Sequence, residues 1–497
     1  MRPSGSRAAA AFQDAHALLA GFRSGPERRP AFDAAAALPT RGPLPRPAPA
    51  APDPTTLRGA LAAQEAGAES AVSLLTAALE AAEANAALGG MVHIDPERAA
   101  AEAGARDAER AVGGRLGPLH GIPVTVKDII DVAHMPTRCG SAAYDELPTV
   151  DAAGVARLRA AGAVVVGKAA THEFALGVTT PQARNPFDTT RIPGGSSGGS
   201  AIAVATGIGL GSLGTDTRAS IRVPPALCGV VGLKGSYGLV PVDGVVTLSW
   251  TMDHVAPIAA NVADAALMLE ALAPQVAGLS RWAGAPVEGW RIGVPEAAFA
   301  GADPEVEAAV RGAIAALGEI GVRSEPAARP DALDLDRANG AGLVISRAEA
   351  AAVHRDLGLD RSLYWDETAD QLAEAERLTA MDYLTAQRIR ADLADALLEA
   401  LSGRDALVMP TTPVTAPPVD RFAEFLTVLS RNAIPWSLVG FPAISVPCGF
   451  TSQGLPVGLQ IVGPPRREDA VVALAAAVER TSPVARLAGR GPAVPTG

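Results

Sequence analysis

The sequence predicts an α/β protein built around a central sheet. Two features point there. Short β-branched runs, such as Ile122-Pro-Val-Thr-Val and Ala163-Val-Val-Val-Gly167, alternate with helical stretches, and glycine marks the junctions as far as Val231. Apolar residues make up 48% of the 497 and charged residues 19%, which supplies a large core and lies far from the composition of disordered chains. That length exceeds the usual single domain, although large α/β proteins can run as one. Residues 55–497 are read as one large domain and residues 1–54 as an extension ahead of it.

Taken in order, residues 8–22 have the pattern of a short amphipathic helix. Residues 39–54 are dense in proline and alanine, which a helix cannot run through, so they read as a linker or wrapping arm. Helical periodicity follows at Thr56–Ala66, at Ser70–Ala86 with Leu74, Leu75 and Leu79 at helical spacing, and at 96–112 with alanine inward and Glu/Arg outward. The run from Ile122 is a strand ending at Lys127-Asp128. Asp151–Ala161 is helical and Ala163–Gly167 a buried strand. Long helices with apolar stripes lie at Glu305–Ile320 and Ala380–Leu401. Strands return at Ala406–Pro410, Ala443–Pro447 and Leu459–Gly463. There is no internal repeat.

The net charge is -11, with acidic and basic residues interspersed. That disfavours nucleic acid or an anionic membrane as the main partner. Cys139, Cys228 and Cys448 are too few and too scattered for a disulfide framework or a zinc site, and fit a reducing cytosol. Asp14 and His16 interrupt the only apolar stretch near the N-terminus, so no signal peptide is read there. The expectation is a soluble, cytoplasmic chain.

Three segments stand out. Pro193-Gly-Gly-Ser-Ser-Gly-Gly-Ser200 has the composition of a flexible linker, but an apolar helical stretch follows it from Ala201. A Gly-rich loop feeding a buried helix presents N–H groups and small hydroxyls to something anionic. No Gly-Lys-Ser/Thr closes it, so a P-loop is disfavoured. Gly194-Gly-Ser196-Ser-Gly198 also fits a nucleophile elbow, which would need a later histidine. His254, beside Asp253, is one candidate, whereas His354 lies in a charged helical stretch that reads as a solvated face. The second segment, Gly214 to Pro225, sets Ser220 between charged residues. In the third, Pro118 to Asp128, Lys127 ends an apolar strand, where a snorkelling surface lysine is the ordinary reading.

Together these segments resemble the amidase signature family. Gly121-Ile-Pro-Val-Thr-Val-Lys-Asp matches its lysine motif, Pro193–Ser200 its Gly-Gly-Ser-Ser-Gly-Gly motif, and Thr215-Asp-Thr to Pro224 its nucleophile motif. Cys228-Gly-Val-Val-Gly-Leu-Lys234, Gly440-Phe-Pro-Ala-Ile-Ser-Val-Pro447 and Gly454–Gly463 match further stretches, in order, over about 55–480. The resemblance implies a mixed, twisted central sheet covered by helices on both faces, with 55–497 as the catalytic domain. It implies Ser220 as nucleophile, Ser196 as a relay serine held by a cis peptide bond, and Lys127 as base. Such a lysine must be neutral, and lowering its pKa from about 10.4 to about 7–8 takes roughly 3–5 kcal/mol of destabilisation of the ammonium. The backbone N–H groups of Thr217, Arg218, Ala219 and Ser220 would form the oxyanion hole. Ser197 is a supporting hydrogen-bond donor. Asp216 and Arg222 either hold the loop or form an ion pair of structural use only.

The chain departs from the family pattern where Arg218-Ala219 replaces the usual Gly-Gly, and where Lys234-Gly-Ser-Tyr237 replaces Lys-Pro-Thr-Tyr. Loss of both glycines would matter if the loop needed positive φ. Alternatively Arg218 points away or contacts a substrate carboxylate. The resemblance thus implies hydrolysis of an amide, carbamate or urea-like small molecule, in the manner of a stand-alone amidase. The alternatives are the glutaminase subunit of a tRNA-dependent amidotransferase, acyl transfer to an amine, and a non-catalytic homologue. The expected partner is a small amide-type molecule, with a homodimer left open. No metal or organic cofactor is expected. Trp250, Tyr364, Trp365 and Trp436 either line an apolar pocket or pack in the core.

Overall fold

The computed structural model describes residues 53–114, 116–327 and 334–482. The helical pattern at 8–22, most of the Pro/Ala-rich stretch and the last residues lie outside them. The first helices begin where a side chain can satisfy their free N–H groups. Thr56 accepts from Gly59 N ahead of α1 (Leu57–Glu65). Ser70 and Ser73 exchange side-chain and backbone bonds at the start of α2 (Ala71–Ala84). Asp95 caps α3 (Pro96–Ala111), whose inward face is Ala99 and Ala103. All three lie where periodicity placed them.

Eleven strands of the described residues form one sheet. In chain order they are β1 (Met91–Ile94), β2 (Pro123–Lys127), β3 (Val164–Ala169), β4 (Gly211–Asp216), β5 (Val231–Lys234), β6 (His254–Ala259), β7 (Arg291–Val294), β8 (Arg323–Pro326), β9 (Ala406–Pro410), β10 (Ala443–Phe450) and β11 (Pro456–Val462). Across the sheet they run β1-β3-β2-β4-β6-β5-β10-β11-β9-β7-β8. The triplets β3-β2-β4 and β9-β7-β8 are parallel, and every other pairing is antiparallel. Successive strand residues point to opposite faces. Every residue of β2, β3, β4, β5, β6, β9 and β11 is buried, so both faces of the sheet are covered. The expected mixed α/β architecture is the one observed.

The cover includes α4 (Ala153–Ala160), α5 (Gly198–Ala205), α6 (Val223–Cys228), α7 (Val262–Leu272), α8 (Pro304–Glu319), α9 (Leu335–Leu357), α10 (Asp366–Ala375), α11 (Ala380–Leu401), α12 (Leu426–Ser430), α13 (Ile434–Leu438) and α14 (Glu468–Thr481). One expectation fails on α9. His354 is not on a solvated face: it is buried, its Nδ1 lies 2.8 Å from the Tyr364 hydroxyl, and its ring meets Phe174 edge-on. Helix α9 is covered from more than one side, so its polar residues turn inward as well as outward. Of the four aromatic residues noted in the sequence, Trp436 and Tyr364 are core residues, Trp365 is half-buried and Trp250 is exposed.

Candidate active site

Lys127 and Asp216 end the neighbouring parallel strands β2 and β4. In open α/β sheets, ligands gather beyond the carboxyl ends of such strands. Between them stands the loop into α5, which is buried throughout and is no linker. Its glycines are there for close approach. A Cβ on Gly195 would lie 1.9 Å from Thr179 O, and one on Gly199 2.3 Å from Ala170 N. Thr180 fastens both ends of the loop, its hydroxyl donating to Gly194 O (3.0 Å) and accepting from Gly198 N (3.1 Å). The Gly195–Ser196 peptide is cis.

Lys127 Nζ lies 2.7 Å from Ser196 Oγ and 2.8 Å from Thr215 Oγ1. Ser196 Oγ lies 3.0 Å from Ser220 Oγ, and Ser196 N donates to that same oxygen at 2.9 Å. Lys127 is fully enclosed, not a snorkelling surface residue. Burial pulls its pKa down to about 7, against a weaker upward pull from Asp216 and Asp253. No carboxylate lies within ion-pair distance of it among the described residues. A neutral Lys127 has a lone pair for the Ser196 hydroxyl and still donates to Thr215. Protons can then point one way along the row, from Ser220 to Ser196 to Lys127.

The loop carrying Ser220 is clamped at both ends. Arg222 donates to Asp216 from Nε (3.0 Å) and Nη2 (3.2 Å), and both side chains are fully buried. Burial would raise the Asp216 pKa, but Arg222 holds it down to about 2. Asp216 also accepts from Ile221 N (3.1 Å) and Ser437 (2.8 Å), while Arg222 reaches Ala433 O, Gln460 and, across the loop, Arg218 O (3.0 Å). Ser197 donates to Thr215 O at 3.1 Å. The N–H groups of Thr217, Arg218, Ala219 and Ser220 donate to no acceptor among the described residues. Neither Arg218 nor Ala219 has positive φ, so this turn does not need glycine for its backbone angles.

His254 does not serve either serine. Its Nδ1 donates to Met252 O (2.7 Å) and Asp216 O (3.1 Å), and its Nε2 faces Lys234 Nζ at 3.3 Å. Burial and Lys234 push its pKa down to about 3.

The amidase family profile matches residues 73–472. The chain belongs to the amidase family. Across 436 residues it is 36% identical to a glutamyl-tRNA(Gln) amidotransferase subunit of Roseiflexus sp. (strain RS-1), covering 78% of this chain and 88% of that protein. A crystal structure of an amidase superposes with a TM-score of 0.79 at 36% identity, over 86% of this chain and all of the other. The corresponding glutamyl-tRNA(Gln) amidotransferase subunit of Thermotoga maritima gives 0.69 at 30% identity, over 84% and 94%. This amidase is accordingly an enzyme that hydrolyses carbon–nitrogen bonds other than peptide bonds. Among the described residues no helix is long and apolar enough to cross a membrane.

Two neighbours of the site escape a reading of the sequence. Thr215 is legible only as part of a motif, because a threonine in a strand is ordinary. Arg347, on α9, gives no sign in the sequence of its surroundings, yet it is only 4% exposed and donates from Nη2 to Leu176 O at 2.7 Å.

Proposed function

We propose that this amidase cleaves small amide, carbamate or urea-like substrates through an acyl-enzyme on Ser220. The observation that carries the reading is the enclosed row Lys127–Ser196–Ser220, with spacings of 2.7 and 3.0 Å and a lysine drawn to about 7. Neutral Lys127 takes the Ser196 proton as Ser196 takes that of Ser220. The Ser220 Oγ–carbonyl bond forms, and the unpartnered N–H groups of residues 217–220 receive the developing oxyanion. The proton then returns along the row to the leaving nitrogen, and the C–N bond breaks. Water repeats the steps on the ester, releasing the acid and restoring Ser220. Asp216, Arg222 and Ser197 act by holding the loop.

A fluorophosphonate serine probe with peptide mapping tests this. The expected result is labelling at Ser220 that disappears in Ser220→Ala and Lys127→Ala. A folded protein that no fluorophosphonate, large or small, can label would leave the non-catalytic reading in its place.

The amidotransferase subunits among the relatives favour a second reading, a glutaminase working within such an assembly. We prefer a stand-alone enzyme, because the backbone likeness is higher to the amidase than to the Thermotoga protein. Glutamine hydrolysis that appears only on adding amidotransferase partner subunits would reverse that preference.

A further inference from the structure

Two arginines, one of them near Ser220 along the chain, have no carboxylate within ion-pair distance among the described residues. Arg218 is half-buried, two residues before Ser220, and so within about 7 Å of it along the backbone. Its guanidinium makes no hydrogen bond or ion pair with any described residue, and its Nε is fully enclosed. Arg347 is more deeply buried. Its Nε is also enclosed without a partner, and among the described residues its guanidinium has one hydrogen bond, to Leu176 O. Val178, two residues beyond the Leu176 that Arg347 holds, and Ala219, next to Arg218, belong to one buried apolar cluster. Burial first and Arg218 second push the Arg347 pKa down to about 9. Among the described residues Glu367 is the carboxylate that acts on Arg347, but it faces His172 at 3.8 Å and stands beyond ion-pair distance of the arginine.

The intervening segment ties this pair to the catalytic row. Arg347 holds Leu176 O. The next residue, Gly177, packs so tightly on His172 that a Cβ there would fall 2.2 Å from Nε2. His172 N in turn donates to Ser196 O at 3.3 Å. Arg347, on α9, and Arg218, on the loop carrying Ser220, are thus both tied to segments that touch the row. Burying an arginine without a counter-charge is costly, and a guanidinium stays charged near neutral pH. Arg222, only four residues from Arg218, shows how this fold satisfies an arginine that is purely internal: it has a carboxylate, two side-chain oxygens and two carbonyls.

We infer that Arg218 and Arg347 form a carboxylate-binding subsite, so that the favoured substrates of this amidase carry an anionic carboxylate near the scissile C–N bond. The substitution of arginine for the family's usual glycine is then a specificity device of this chain. The inference rests on the proposed reading of Ser220 for its purpose, but its test does not need turnover.

The test is calorimetric titration of the full-length Ser220→Ala protein with succinate, glutarate and adipate, and with the neutral diamides of the same lengths. At least one dicarboxylate should bind about tenfold or more tighter than its diamide, the worth of one charge-assisted hydrogen bond. Arg347→Gln and Arg218→Gln should each remove most of that preference, and Arg347→Lys, which keeps the charge, should restore part of it. If Arg347→Gln fails to fold, Arg218→Gln, at the less buried of the two positions, decides alone. Equal binding of acids and diamides, no binding of any of them, or a preference that survives the folded glutamine variants would overturn the subsite. Fluorophosphonate labelling of the wild-type Ser220 is read separately, so the subsite and the hydrolase reading can fail independently.

Discussion

Lys127 and Lys168 stand on neighbouring strands, with Lys168 paired in register to Val126, one residue before Lys127. Both are fully enclosed, and burial drives the pKa of each downward. Their partners differ. Lys168 faces Asp128 at 3.3 Å and donates to Thr137 at 2.8 Å. The carboxylate opposes the effect of burial, so the proton has a reason to stay. Lys127 faces two hydroxyls and, among the described residues, no carboxylate. Burial by itself therefore does not make a base. On the proposed reading, a proton acceptor arises where a buried amine meets groups that can hand it a proton and not a charge.

The largest effect expected from this contrast is chemical. Lys127→Met and Ser220→Ala should each lower turnover by about 10⁴-fold or more, in line with losses of a nucleophile or its base elsewhere. The Lys127→Met protein should melt no lower than wild type, because it removes a buried amine that has no counter-charge beside it. A melting temperature that collapsed with activity would make Lys127 a structural residue and erase the contrast.

Lys168→Met should do the reverse. It leaves Asp128 buried and unpaired, at a cost of about 3–5 kcal/mol in unfolding free energy. Labelling of Ser220 per folded molecule should stay within a few-fold of wild type. Adding Asp128→Asn should return part of the lost stability, measured by denaturant titration as a double-mutant cycle.

The acidity of Lys127 sharpens the comparison further. Its pKa is lowered, and in the proposed mechanism the working form is the neutral amine. Activity should therefore be full above about pH 7 and fall about tenfold per pH unit below it, as the ammonium refills. Fluorophosphonate labelling rates between pH 5 and pH 9 would show this directly. A profile flat across that window would mean that some other group accepts the proton.

Much of this is legible in the sequence because it is local. The strand ending at Lys127, the loop into α5 and the turn carrying Ser220 each follow from short patterns, and their three side chains are hydrogen-bonded neighbours. What cannot be read depends on packing between distant segments. His354 looks solvated because charged residues surround it in sequence, yet Phe174, 180 residues earlier, covers its ring. Arg347 looks like any helical arginine, and only the segment around Leu176 reveals that it is enclosed and underpartnered. That Arg218 and Ala219 need no positive φ is likewise invisible, because it is a property of the backbone and not of residue type.

Thr215 carries the smallest effect and the most discriminating one. Its Oγ1 lies 2.8 Å from Lys127 Nζ and accepts from it whether the lysine is charged or neutral. The bond is stronger to the ammonium, since charge-assisted hydrogen bonds exceed neutral ones. Thr215→Val keeps the shape and removes the acceptor. Two consequences follow together. The amine loses the contact that turns its lone pair toward Ser196, so the plateau rate should fall by about 2–10-fold, the worth of one ordinary hydrogen bond. The ammonium loses more than the amine does, so the acid limb of the pH profile should move to lower pH. Thr215→Ser, which restores the hydroxyl, should bring back both the rate and the position of that limb. A slower enzyme with an unmoved limb would assign Thr215 to packing alone, and the hydroxyl environment of Lys127 would then reduce to Ser196.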